Sequence, residues 1–162
     1  MNRNRSESSV REIEHTADLG MEVEAQTLDG LFRQAAVGMM ELVRADDDAP
    51  RTAGERTPRT EENDADGADT PLVRDIAIDL PKAGIADLLV RWLRELLYLQ
   101  EVEGFVYGDV DFERLDASGL RSTVTARSHP TPPIRELKGV TYHGLEVGRE
   151  DGGWRARVIF DI

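Results

Sequence analysis

The chain has 162 residues, enough for one domain with its own core, and sets 32 acidic against 20 basic residues for a net charge of −12. That balance excludes a general phosphate-backbone binder, which needs a basic face; the lack of cysteine excludes disulfides, thiolate zinc sites and cysteine nucleophiles. No apolar run approaches a bilayer span and the opening MNRNRSESSV has no apolar signal core, so a soluble cytoplasmic protein with no membrane partner is expected.

Residues 1–9 are polar and expected to be disordered, leaving 10–162 as a single domain. In EIEHTADLG at 12–20, Ile13, Ala17 and Leu19 alternate with acidic and polar neighbours, and the alternation continues through Met21, Val23 and Ala25. This reads as one half-buried strand over about 10–26, or as two strands bent around a polar knuckle that carries His15 and Asp18. Thr27 can cap a helix whose apolar residues Leu28, Leu31, Phe32, Ala35, Ala36, Met39, Met40 and Val43 form one stripe. Gly30 and Gly38 lie off that stripe and weaken the helix slightly. Residues 45–71 contain no bulky apolar side chain, so burial cannot offset their ordering entropy and a flexible acidic insertion is expected. Their aspartates do not follow the spacing of a calcium-binding loop.

Val73–Leu80 alternates as a strand ended by Pro81. A second helix is expected from Gly84 to Glu101, with Ile85, Leu88, Leu89, Trp92, Leu93 and Leu96 inward, which makes Trp92 a core residue. Strands follow at 105–112 and 120–127, separated by a turn at Asp116–Gly119. HPTPP at 129–133 breaks the chain, and Leu137–Val147 and Trp154–Ile162 are joined through Asp151-Gly152-Gly153, a hairpin signal. Trp154, Ala156, Val158, Phe160 and Ile162 are expected on one face of the last strand, Arg155, Arg157, Ile159 and Asp161 on the other. Two amphipathic helices among short strands predict an α+β fold with mostly antiparallel sheet packed against the helices.

Few residues could carry chemistry. His129 precedes a proline in a polar loop, whereas His15 and His143 stand in strand-like segments beside Thr and read first as hydrogen-bonded structural residues. Asp18, next to Gly20, and Asp161, next to the terminal carboxylate of Ile162, stand apart from the solvent-facing acidic rows. Should these two ends of the chain meet, three carboxylate-type groups would share a small space, an arrangement that either raises a pKa or binds a hard cation. Nucleophile-elbow, phosphate-loop, dinucleotide and His-Glu-x-x-His signatures are absent.

Four segments together resemble the archease family: EHTADLGMEVEAQTLDGLFRQAAVGMMEL, LLVRWLRELLYL at 88–99, KGVTYHGLEV at 138–147 and the terminal WRARVIFDI. They run in order through nearly the whole ordered chain, and the acidic segment 45–71 is the main departure. The resemblance implies a small α+β accessory protein, not itself an enzyme, that assists an RtcB-type RNA-splicing ligase in tRNA splicing. It would promote GTP-dependent guanylylation of the ligase and its multiple turnover, meeting GTP and RNA only through the ligase. The resemblance further implies a metal site of Asp18, Asp161 and Ile162, with Lys138, Tyr142 and His143 in or near the functional surface and His15 behind the ligands. Oxygen ligation suits a divalent hard ion, Ca²⁺ first, with Mg²⁺ or Mn²⁺ as alternatives. A different class of reading is a metal-dependent hydrolase built on His15, Asp18, His143 and Asp161. A general folding chaperone would want a large exposed apolar patch, which this sequence does not advertise.

Overall fold

A computed structural model of the chain describes residues 9–15, 18–44, 72–127 and 133–162, and gives the backbone alone for 12–15. The disorder expected for the first residues, the acidic segment 45–71 and the loop position of His129 lie outside the described residues.

The polar knuckle separates two strands, β1 (Ser9–His15) and β2 (Asp18–Ala25), which pair antiparallel with His15 opposite Asp18. Helix α1 (Leu28–Arg44) follows, and the Thr27 hydroxyl accepts the Gly30 N–H at 3.1 Å, satisfying one of the free donors of the first turn. Then come β3 (Val73–Asp79), α2 (Ile85–Glu103), β4 (Tyr107–Asp116), β5 (Gly119–Ala126), β6 (Gly139–Glu150) and β7 (Gly153–Asp161). The strands form a four-stranded sheet of order β1-β2-β7-β6 and a three-stranded sheet of order β3-β5-β4. Every described pairing is antiparallel, so the molecule is α+β as its alternating patterns predict.

The apolar stripes of α1 and α2 bury against each other and against strands of both sheets. Trp92 is fully buried and gives its indole N–H to the Phe32 carbonyl at 3.3 Å, while its ring lies 5.5 Å from that of Phe112. One side chain therefore ties α2, α1 and β4 together, and its single polar atom is satisfied, as a buried donor must be.

Two expectations change. Gly38, read as a slight weakness, is buried where α1 meets β1: a Cβ there would stand 2.8 Å from Val10 Cγ1 and 3.1 Å from Met21 Sδ. Its lack of a side chain lets helix and strand approach. The last hairpin closes on two residues, not three: Asp151 and Gly152 both take positive φ (48° and 81°), and Glu150 already pairs with Gly153. That is the geometry whose twist matches antiparallel strands. No described helix is long and apolar enough to cross a membrane, which says nothing about crossing by strands.

Candidate functional site

The site is built by strand register. In β2 the residues Leu19, Met21 and Val23 are buried toward the helices, so period-two alternation sends Asp18, Gly20, Glu22 and Glu24 to the opposite face. In β7, Ala156, Val158 and Phe160 are buried in the same way, so Arg155, Arg157, Ile159 and Asp161 share that outer face. Register then pairs Glu24 with Arg155, Glu22 with Arg157 and Asp18 with Asp161. Directly opposed residues hold their Cβ atoms about 5 Å apart on one face.

The outer face is charge-matched except at its end. Arg155 lies 3.5 Å from Glu22, 3.9 Å from Glu24 and 3.1 Å from Glu150. In the other sheet the like-charged facing pair Arg114–Arg121 is bridged by Asp79, at 3.5 and 3.6 Å. Asp18 and Asp161, by contrast, face one another, and two directly opposed anions repel. The same row continues in both directions, with His15 of β1 opposite Asp18 and Gly139 of β6 opposite Asp161.

Lys138 closes this end of the sheet. Its main-chain N–H donates to the Asp161 carbonyl at 2.8 Å, and its ammonium group donates to the main-chain oxygen of Ile162 at 3.2 Å. Ile162 is 44% exposed instead of continuing the buried row of β7. Facing carboxylates are donors of the kind that hard cations prefer. In kind, therefore, Asp18 and Asp161 fit a divalent ion, and they supply only part of the six to eight oxygens that Ca²⁺ takes.

Tyr142 and His143 stand on a bulge of β6. Thr141 pairs with Ile159 and Glu146 with Arg157, so residues 142–145 together oppose Val158 alone. Gly144 makes the bend with φ 63°, a conformation that favours glycine, and a Cβ at that position would touch Ile159 Cγ1 at 3.5 Å. The bulge folds over Ile159, which explains why this residue is buried although it shares the outer face with Arg155, Arg157 and Asp161. The His143 N–H donates to Thr141 Oγ1 at 3.0 Å, and both Tyr142 and His143 are exposed.

The register therefore brings Asp18, Asp161, Lys138 and Ile162 to one end of the sheet, with the backbone of His15 in the same row. His143 does not join the aspartates in a cluster: among the described residues no group of three or more His, Cys, Asp or Glu is placed to hold a metal ion. Arg94 of α2 was missed in the sequence. It donates from Nε and Nη2 to the Val140 carbonyl, at 3.0 and 2.7 Å, and its guanidinium lies 5.2 Å from the Tyr142 ring centroid. The available signal was its neighbour segment: the buried apolar phase of β6 is even at Val140 and odd at Val147, which requires a bulge that something must hold.

Comparison with known proteins agrees with this architecture. The chain is 32% identical over 157 residues to the protein archease of Methanopyrus kandleri, covering 93% of this chain and 97% of that one. The solution structure of Methanobacterium thermoautotrophicum protein 1598 superposes with a TM-score of 0.63 at 26% identity, covering 94% of this chain and 98% of that one. The archease of Thermotoga maritima, at 18% identity and a TM-score of 0.55 over the full length of both chains, shares the fold. The family model described as the Archease protein family matches residues 11–162, a span that takes in both helices, both sheets and the facing aspartates; the chain belongs to the archease family.

Proposed function

We propose that this chain is an accessory protein of an RtcB-type RNA-splicing ligase, promoting GTP-dependent guanylylation of the ligase and its multiple turnover in tRNA splicing. The observation that carries the site half of this reading is the direct opposition of Asp18 and Asp161, with Lys138 on the neighbouring Ile162 oxygen. Asp18, Asp161 and the Ile162 oxygen would hold a divalent cation, Ca²⁺ by donor type, with water or the partner filling its remaining positions. Such an ion supplies positive charge at the tip of a strongly acidic molecule, where an anionic nucleotide or its own metal ions are handled by the partner. The chain's residues do the rest: the two carboxylates fix the ion to the sheet end, and Lys138 orients the last residues of β7 beside them.

Membership of the archease family supports an accessory role, and the Thermotoga maritima member is described as a possible chaperone. An assistant dedicated to one client enzyme is the narrower form of that description.

The experiment is an RNA-joining assay with the cognate ligase, GTP and divalent metal, counting products formed per ligase molecule. Addition of the wild-type protein is expected to raise that count. A count that stays the same with and without the folded protein removes the proposal. An Asp18→Ala variant that supports wild-type turnover removes the metal-site half alone.

A further inference from the structure

We propose that Arg94 is a positioning residue: it locks the β6 bulge against α2 so that Tyr142 and His143 are presented as a recognition surface on β6, the strand paired with the β7 strand that carries Asp161. The inference rests on the function proposed above for its choice of partner, and on geometry alone for the anchoring.

A bulge of four residues against one has few ladder hydrogen bonds of its own, and its conformation must be imposed from outside. Three contacts do so. Gly144 lies against Ile159 from above the sheet, and the Thr141 hydroxyl accepts the His143 N–H. From the side, Arg94 donates twice to the carbonyl of Val140, the last core-facing residue before the bulge, and covers the Tyr142 ring with its guanidinium. Only the last of these comes from another layer of the fold. Arginine suits the task because its planar fork can hold one oxygen with two donors while its face stacks on an aromatic ring. Arg94 covers one face of the Tyr142 ring, and Tyr142 is still 47% exposed, with His143 exposed as well.

Arg94 lies on the exposed face of α2, within reach of the edge strand β6. Arg94 sits between Trp92–Leu93 and Leu96–Leu97, all buried, and so is carried by a rigid support. Recognition surfaces held by rigid elements lose less freedom on binding than surfaces on free loops.

The test uses Arg94→Gln, which removes the fork and the charge, and Arg94→Lys, which keeps the charge and one donor. Amide exchange is read at His143 and Gly144 in the isolated protein, with Met21 and Val158 of the sheet as controls. Loss of the anchor in Arg94→Gln is expected to speed exchange in the bulge by about tenfold or more and to leave the controls unchanged, with Arg94→Lys in between. In the ligase assay, the concentration giving half-maximal stimulation should rise about tenfold while the maximum at saturation is retained. Unchanged exchange at His143 and Gly144 overturns the anchoring. Faster exchange with an unchanged half-maximal concentration overturns the presentation. If Arg94→Gln does not fold, Arg94→Lys carries both readouts. A wild-type protein that stimulates no ligase brings down the proposed function and the recognition role together, and the exchange result still decides the anchoring.

Discussion

Replacing Asp161 by Asn should make the metal-free protein more stable and the metal-loaded protein less so. Asp18 and Asp161 are directly opposed on β2 and β7, which puts their Cβ atoms about 5 Å apart. Two unit charges at about 5 Å repel by about 0.8 kcal/mol in a water-like dielectric. Asp18 is half-buried, which raises that figure, and the Lys138 ammonium on the Ile162 oxygen lowers it. A net gain of about 0.5–1 kcal/mol is expected in Asp161→Asn, in the range measured for cross-strand pairs. For a domain of this size that is a rise of about 1–4 °C in Tm. The assay is thermal unfolding followed by near-ultraviolet circular dichroism, in chelator and at low salt. The rise should shrink toward 1 M salt, where the screening length falls to about 3 Å. Calcium at about a hundred times its Kd should then stabilise the wild type by about 2.7 kcal/mol, or about 5–10 °C, and the variant by almost nothing. A variant less stable than wild type in chelator refutes the repulsion argument. Equal stabilisation of both proteins by calcium refutes the ligand assignment.

Other parts of the fold make separate predictions. Gly38→Ala sets overpacking against Val10 and Met21 against a better helix propensity, and a net loss of about 1 kcal/mol is expected in denaturant unfolding. In the double variant Gly38→Ala, Val10→Ala the closer clash, with Val10, is removed and only the Met21 contact remains, so the pair should be less destabilised than the sum of the singles; simple additivity would refute the Val10 contact. Trp92→Phe deletes the hydrogen bond to the Phe32 carbonyl and leaves a void, for an expected loss of about 2–3 kcal/mol. The Tyr107 phenol is pushed up to about 12, first by burial and then by Asp109, with Arg33 opposing. Because its folded pKa exceeds the unfolded value, its contribution to stability is complete below about pH 10 and is lost as pH rises from there through about 12. Absorbance titration should show a late tyrosinate step that Tyr107→Phe removes; no late step would contradict the burial argument.

What was legible in the sequence was whatever depends on one element at a time. The α1 stripe, the Thr27 cap, the strand periodicity around Met21 and Val158 and the core role of Trp92 each follow from spacing within a single segment. Gly38 was misread because its reason lies in Val10 of β1, which the helical pattern does not contain. Burial of Ile159 was missed for the same kind of reason: the cover is the bulge at 142–145, and a bulge is defined only against its partner strand. The pairing of Asp18 with Asp161 joins opposite ends of the chain, so local pattern could nominate each aspartate and family resemblance could suggest the pair. Only strand register puts one opposite the other. Arg94 carried no signal in its own helix, where it reads as an ordinary solvated position.

The central claim is tested most directly by guanylylation itself. The cognate ligase is incubated with labelled GTP and divalent metal, alone, with the wild-type protein, and with Asp18→Ala, and label on the ligase is followed in time. The account predicts a clear acceleration by the wild type that Asp18→Ala fails to give although it remains folded. Labelling of the ligase at the same rate in all three reactions would contradict it.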